Sequence, residues 1–139
     1  MPRDKAPTGK EISDKARAGS LDTTKRSTGE KAGKKSTLTP AHLGHVKKIE
    51  DLEDGQFIGV LDTEIAGDRA NLPPGKYNMF IAKVGGDWQV HFEAGGDIVA
   101  EAASVVERKD TPKEMKPRFR EGSFCWWVWL VFTGFEVCV

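Results

Sequence analysis

The spacing of apolar residues along the chain predicts a series of β-strands between residues 56 and 106. Stretches of β-branched and aromatic residues, each about as long as a typical strand, alternate there with glycine-rich turns. The stretches are QFIGVLDTEI, GKYNMFIAKV, WQVHFEA and IVAEAASVV, and one GGD triplet separates the second from the third and another the third from the fourth. Since glycine readily adopts the positive φ of tight loops, each triplet predicts a hairpin loop of three or four residues. Together these signals predict an antiparallel meander.

Alternation within the strands assigns side chains to the two faces of the predicted sheet. In the third strand, Trp88 begins a row of apolar residues that should point into the core, whereas His91 lies in the alternate row and should face water. The second strand is apolar at odd and even positions, so it should lie centrally with both faces covered. The second cover could be the first strand folded over as a sandwich, a helix at 40–53, or the C-terminal run.

The predicted helix at 40–53 precedes the first of these strands. Thr39 would be its N-cap and Pro40 its first residue, and apolar residues follow at intervals of three. His42 and His45 would share one face of this helix. Two imidazoles are too few for a specific zinc site, so we expect surface or capping roles for them.

The two ends of the chain differ in composition from this central part. Residues 1–38 hold few large aliphatic side chains and many Lys, Gly, Ser and Thr residues, which predicts a disordered basic tail. Residues 108–123 are rich in charges and prolines, which predicts a linker, and residues 124–139 are a hydrophobic C-terminal segment. The predicted fold class is mainly β: a small antiparallel meander or β-sandwich at residues 39–107, with one short N-terminal helix.

The C-terminal segment, FCWWVWLVFTGFEVCV, carries three of the four tryptophans. Its uninterrupted apolar run is nine residues long, about half of what a membrane-spanning helix needs. We therefore expect a strand, or a hairpin turning at Thr133 and Gly134, that is buried on the meander or against another copy of the chain. A membrane-surface anchor, which the preceding basic residues favour, and a peptide carried behind a folded leader are the alternatives.

Two cysteines, Cys125 and Cys138, flank the C-terminal segment. A bond between them would close a loop, but a two-residue turn at 133–134 would place Cys138 opposite Trp129 and not opposite Cys125. The hairpin and the disulfide are therefore expected to exclude each other. Because the chain starts without an apolar secretory signal, we expect a cytoplasmic protein with reduced cysteines, and peripheral membrane attachment is the alternative.

The charge distribution argues against a dedicated nucleic-acid arm. The formal net charge is zero, but residues 1–37 hold ten basic and five acidic residues, whereas residues 38–139 hold eleven and sixteen. The basic residues of the first segment alternate with Gly, Ser, Thr and acidic residues, and the segment has no aromatic residue. Specific nucleic-acid binding is therefore not expected.

A hairpin within residues 72–93 carries a family resemblance. The sequence LPPGKYNMF followed by GGDWQVHFE resembles the hairpin of bacterial immunoglobulin-like and transthyretin-like β-sandwich modules. In that pattern, LPxGxY opens a short strand, a turn follows, and WxVxF forms the next strand. The resemblance implies a binding or scaffolding role in a bacterial protein, and it carries no catalytic residues.

Catalytic motifs are missing from the sequence. Ser104 and Ser123 have no histidine in a recognisable nucleophile motif, and neither a Walker loop nor a dinucleotide-binding glycine pattern occurs. The acidic residues Asp62, Glu64 and Asp68 could bind Ca²⁺ through oxygen atoms, but the EF-hand order is missing and a solvated loop is favoured.

The function predicted from the sequence is that of a non-enzymatic binding or protein-interaction module without a cofactor. A protein partner or a second copy of the chain should bind through residues 124–139, with Trp126, Trp127 and Trp129 as contact residues. The alternatives are a membrane-surface protein anchored by this segment and a metal-dependent enzyme that uses the acidic loop at 62–68 together with His91.

Overall fold

The computed structural model describes residues 7–42, 56–67, 71–102, 105–108, 118–120, 123–129 and 134–138. Helix α1 spans Gly9–Ala18, and a short 3-10 helix follows at Thr23–Lys25. One sheet contains β1 Ser27–Lys31, β2 Lys34–Pro40, β3 Gln56–Thr63, β4 Gly75–Val84, β5 Asp87–Ala94 and β6 Asp97–Ala102. A second sheet contains β7 Val105–Arg108, β8 Arg118–Arg120, β9 Ser123–Trp129 and β10 Gly134–Cys138. The predicted class, mainly β with one short helix, is confirmed, although α1 is not the helix that the sequence predicted at 40–53.

The first sheet is a meander in which strands β1 to β6 are antiparallel neighbours in chain order. Its β4–β5 and β5–β6 hairpins turn through two glycines each, Gly85–Gly86 and Gly95–Gly96, all four with positive φ. Positive φ at both central residues is typical of a type I′ turn, which matches the twist of the strands. The GGD triplets thus mark both hairpins, but the loops are shorter than predicted because Asp87 and Asp97 already belong to the following strands.

Strand β4 lies between β3 and β5, and both of its faces are buried, as predicted. Tyr77, Met79 and Ile81 belong to the larger of two core clusters. The Tyr77 hydroxyl donates a hydrogen bond to the carbonyl oxygen of Pro73. Burial of the Tyr77 hydroxyl raises its pKa above the ordinary value, because the phenolate would lose its hydration.

Helix α1 covers the other face of β4, which we call the helix face and define by Phe80 and Ala82. Ile12 of α1 is fully buried in one cluster with these two side chains. The start of the helix lies against the β5–β6 turn, where a Cβ atom at Gly9 would be 1.9 Å from the carbonyl oxygen of Gly96. The helix therefore provides the second cover that the apolar pattern of β4 requires.

This cover comes from the segment predicted to be a disordered tail, so the prediction of disorder was wrong for residues 9–38. The helix begins after Thr8, whose Oγ1 accepts a hydrogen bond of 3.2 Å from the backbone N–H of Glu11. The prediction of disorder rested on the small number of apolar residues within the segment itself. In the folded chain, α1 packs on a sheet formed elsewhere, and β1 and β2 gain their hydrogen bonds by pairing in that sheet.

The structure does not show the predicted start of a helix at residue 40. Thr39 and Pro40 lie in β2 instead of capping a helix, and residues 43–53 lie outside the described residues. Pro40 is the last residue of its strand and pairs with Gly59, at the bulge in β3, and proline is tolerated beside such irregularities. Its carbonyl oxygen accepts a hydrogen bond of 2.8 Å from the backbone N–H of Asp22.

The β9–β10 hairpin forms the centre of the second sheet, in which the strand order is β7-β10-β9-β8. Gly134 pairs with Trp129, so Cys138 lies opposite Cys125. Cys125 is disulfide-bonded, and Cys138 is its partner because the chain has only two cysteines and neither is free. The expectation of reduced cysteines was therefore wrong. Hairpin and disulfide coexist because four residues, 130–133, connect the strands and shift the register.

Two predicted boundaries in this half of the chain also differ. Strand β8 pairs with β9 although it lies within the predicted linker at 108–123, and residues 109–117 and 121–122 of that linker are outside the described part. The stretch IVAEAASVV, predicted as one strand, is divided between β6 in the first sheet and β7 in the second. The chain thus passes from one sheet to the other between Ala102 and Val105.

Candidate functional site

The predicted contact residues Trp126, Trp127 and Trp129 lie on β9, between β10 and β8. Their side chains lie outside the described part of the structure. The backbone of β9 is paired on both sides, to β10 along five residues and to β8 along three. A strand paired on both edges offers no free ladder for another chain to join. Strand addition along these paired residues is therefore closed to a partner.

The acidic residues of the predicted metal loop have separate environments. Asp62 is an exposed residue of β3, and Asp68 lies outside the described residues. Glu64 has a structural bond, since its Oε1 accepts a hydrogen bond of 3.0 Å from the backbone N–H of Lys35. Among the described residues, no group of three His, Cys, Asp or Glu side chains could hold a metal ion.

His91, which we predicted to face water, is fully buried, so that prediction was wrong. It is the cross-strand partner of Phe80 and therefore lies on the helix face. Its Nδ1 lies 3.4 Å from Oε2 of Glu101, a side chain that is more than half exposed. Alternation assigned the correct row of β5 but not its environment, because the sequence does not show that a distant helix covers the row. His42 is exposed.

Glu93 is a buried carboxylate in the same row of β5, and it is only 2% exposed. One of its oxygens accepts a hydrogen bond of 2.8 Å from Asn78 on β4, and the other accepts one of 2.8 Å from the backbone N–H of Gly96. Because both oxygens are hydrogen-bonded, the burial of this carboxylate is compensated. Glu93 thus holds the β5–β6 turn against β4.

A groove on the helix face is the site that the sequence interpretation missed. Helix α1 contacts strands β3 to β6, whereas the groove lies over β1 to β4 and has a volume of about 540 Å³. Cross-strand pairing aligns one row of its residues from β1 to β4: Thr28, Thr37, Asp62 and Lys76. Lys76 shares a face of β4 with Phe80, since four residues separate them and side chains alternate along a strand. The groove and the helix thus occupy two ends of one face.

The groove is lined mainly by polar side chains. Among the described residues, three are cationic, three are threonines, one is a carboxylate and two are aliphatic: Arg26, Lys35, Lys76, Thr28, Thr37, Thr39, Asp62, Val60 and Leu21. Among these described lining residues, cations outnumber the carboxylate three to one, which favours an anion. Glu30 and Glu64 flank Lys35 on the neighbouring strands and reduce this positive charge at the Lys35 end. Its volume lies within the usual range for small-ligand sites, about 300–1,000 Å³, although its lining is more polar than usual.

Hydrogen bonds position several of these side chains against the sheet. Nε of Arg26 donates a bond of 3.0 Å to Oγ1 of Thr39, and Thr39 is only 6% exposed. The hydroxyls of Thr28 and Thr37, which are cross-strand partners, lie 3.0 Å apart. Side chains held in place before a ligand arrives lose less conformational entropy on binding. The groove is therefore partly preorganised.

A sequence signal for this site existed in β2. In KKSTLTP, the aliphatic Leu38 lies between the polar residues Thr37 and Thr39. This short alternation, together with the β-branched threonines, is typical of a strand. The low hydrophobicity of the surrounding segment masked it.

Comparison with known proteins gives no match: no family model fits the chain, and no curated protein or solved structure is similar to it. The resemblance of residues 72–93 to immunoglobulin-like and transthyretin-like modules therefore stays a prediction. Over the described ranges, no helix is long and apolar enough to cross a membrane. Function is accordingly inferred from the geometry of the groove.

Proposed function

We propose that this protein is a non-enzymatic binding module whose ligand binds in the groove over β1 to β4. The observation that supports this most is that α1 covers only part of the helix face, beside which positioned polar side chains line an open groove. A ligand site on strands is held more rigidly than one on loops. In this proposal Asp62 and the three cations bind the ligand and do no chemistry on it.

The proposal moves the contact surface away from residues 124–139, where the sequence suggested it. The paired edges of β9 and the disulfide of Cys125 support a structural role for this segment. The disulfide also supports an oxidising compartment over the cytoplasm, where thiols are usually kept reduced.

Nuclear magnetic resonance of the ¹⁵N-labelled full chain tests the proposed site without a known ligand. Small probes of different chemistry, namely acetate, inorganic phosphate, acetamide, glucose and guanidinium, are added one at a time. We expect at least one probe to shift the amide signals of Thr37 and Asp62 in a saturable way. Lys31 and Lys34, which alternate onto the opposite face of the β1–β2 hairpin, provide the matched reference signals. Shifts that are spread evenly over both faces, with every probe, would contradict the proposal.

A further inference from the structure

We infer that the ligand of the groove is an acidic peptide segment of a partner protein, an inference that rests on the proposed function. The carboxylates of this peptide would bind the cations of the groove. Its backbone N–H groups would donate hydrogen bonds to the oxygen atoms of Asp62 and of the groove threonines. Three features support this partner: the separation of the cations, the position of Asp62, and the side-chain types that line the groove.

The cations are too far apart for one small anion. Lys35 and Lys76 lie two strands apart and one step of two residues apart along the strand direction. With strands about 4.8 Å apart and a rise of about 3.4 Å per residue, their Cα atoms are about 12 Å apart. Arg26 lies farther along the groove, on the β1 side. A ligand that reaches all three must therefore be extended and carry several separated acidic groups.

The Arg26 guanidinium is suited to a carboxylate. Its bond to Thr39 uses one of five N–H donors and fixes the orientation of the planar group. A guanidinium positioned in this way can bind a carboxylate through two parallel hydrogen bonds, which a lysine ammonium cannot do. Lys35 and Lys76, both exposed, can adjust to carboxylates at different positions.

Asp62 distinguishes a peptide from an anion that is charged along its whole length. It pairs across the strands with Lys76 on one side and Thr37 on the other, so its carboxylate lies between the cations. A phosphate chain would bring like charge against Asp62 and offer it no donor. An extended peptide alternates acidic side chains with backbone N–H groups, which can donate to Asp62 and to the threonine hydroxyls.

The lining also disfavours nucleic acid as the partner. Single-stranded nucleic acids bind through aromatic side chains on which bases stack, and each stacked base adds substantially to the affinity. In the part of the lining that the structure describes, the two apolar side chains, Leu21 and Val60, are aliphatic. A peptide needs no stacking surface, and aliphatic contacts suit the methylene groups of its side chains.

Fluorescence anisotropy with a labelled peptide tests this inference in the full-length protein. The probe is an octapeptide of alternating Glu and Gly at low ionic strength, and its Gln–Gly counterpart is the neutral control. We expect the double variant Lys35→Gln with Lys76→Gln to weaken binding about 10-fold. Each exposed ion pair that is lost should weaken binding about two- to five-fold, and the two losses multiply. The double variant Lys31→Gln with Lys34→Gln removes the same charge from the opposite face of the same sheet, and should weaken binding less than about two-fold.

Each other outcome would overturn the inference in a recognisable way. Equal losses in the two double variants would show attraction by net charge without a site. Tighter binding of tripolyphosphate than of the Glu–Gly peptide would make the ligand a phosphate chain. Saturable shifts at the groove with glucose or guanidinium, but with neither acetate nor the peptide, would refute the acidic partner while leaving the proposed binding module intact. Only the lack of localised shifts with every probe would refute both.

Discussion

The two ends of the helix face have the same backbone lattice but different side chains. Over β4 to β6 the face carries apolar residues such as Phe80 and Ile98, which lie in one cluster with Ile12 of the helix. Over β1 to β4 it carries residues such as Thr37 and Lys76, which line an open groove. In a strand, the alternation of side chains determines which face a residue occupies. The type of side chain then influences whether the chain covers that face, although the buried His91 and Glu93 show that polar residues are also covered there.

We call the part of the helix face over β4 to β6 the covered end and the part over β1 to β4 the open end. Threonine side chains keep the open end ordered although it stays accessible to solvent. The β-branched side chain of threonine favours the extended backbone, while its hydroxyl can bond across the strands, as Thr28 and Thr37 do. At the covered end, fully buried residues such as Phe80 gain stability by leaving water, at about 25 cal/mol for each Å² of apolar surface. The covered end thus depends on α1, and the open end depends on pairing between strands.

Truncation of the side chain by which the helix contacts the sheet should produce the largest loss of stability. Ile12→Ala removes the buried side chain of α1 and should lower the free energy of unfolding by about 2–5 kcal/mol, as for other buried aliphatic residues. Urea denaturation measures the loss, and Lys10→Ala on the exposed side of the same helix should change it by less than about 0.5 kcal/mol. If Ile12→Ala cost less than about 1 kcal/mol, the covered end would not depend on the helix.

Reduction of the disulfide between Cys125 and Cys138 changes the protein outside the sheet that carries both ends of the helix face. Opening the 14-residue loop from Cys125 to Cys138 should lower the stability by about 3 kcal/mol on the chain-entropy model. Because neither cysteine lies in the first sheet, amide hydrogen exchange should change to a similar extent in β1 and in β5. Denaturation with and without reductant measures the loss, and faster exchange confined to β1 would show that the second sheet supports the open end alone.

Gly9→Ala tests how closely the helix approaches the turn beneath it. Alanine normally stabilises a helix relative to glycine, by up to about 1 kcal/mol. Here its Cβ would lie 1.9 Å from the carbonyl oxygen of Gly96, so we expect a net loss of about 1–3 kcal/mol from overpacking. The thermal unfolding midpoint, compared with that of Lys10→Ala, decides the sign. A stabilised variant would mean that the helix can move away from the turn at little cost.

The smallest effect is expected at the open end. Lys76→Gln changes an exposed side chain whose cross-strand partner, Asp62, is also exposed, and should alter stability by less than about 0.5 kcal/mol. Lys31→Gln on the opposite face is the matched control. A loss above about 1 kcal/mol for Lys76→Gln alone would show that the groove residues contribute to folding, and would make the two ends alike.

Much of the first sheet could be predicted from the sequence because its signals are local. The bounds of β4 coincide with the stretch GKYNMFIAKV, and the glycines of both GGD triplets lie at positive φ in the turns. Residues that are apolar on both faces placed β4 at the centre of a sheet. These features depend on the alternation of side chains and on the conformations open to glycine, which act within a few residues.

The tertiary structure decided what covers the sheet and what stays open. Helix α1 contains a single buried apolar residue, Ile12, and that residue gains stability only because Phe80 and Ala82 lie beneath it. The burial of His91 and the pairing of Cys125 with Cys138 likewise depend on segments distant in sequence or on the length of a loop. Such contacts require a three-dimensional arrangement that no local pattern records, because the free energy of burial belongs to the pair of surfaces and not to either segment alone.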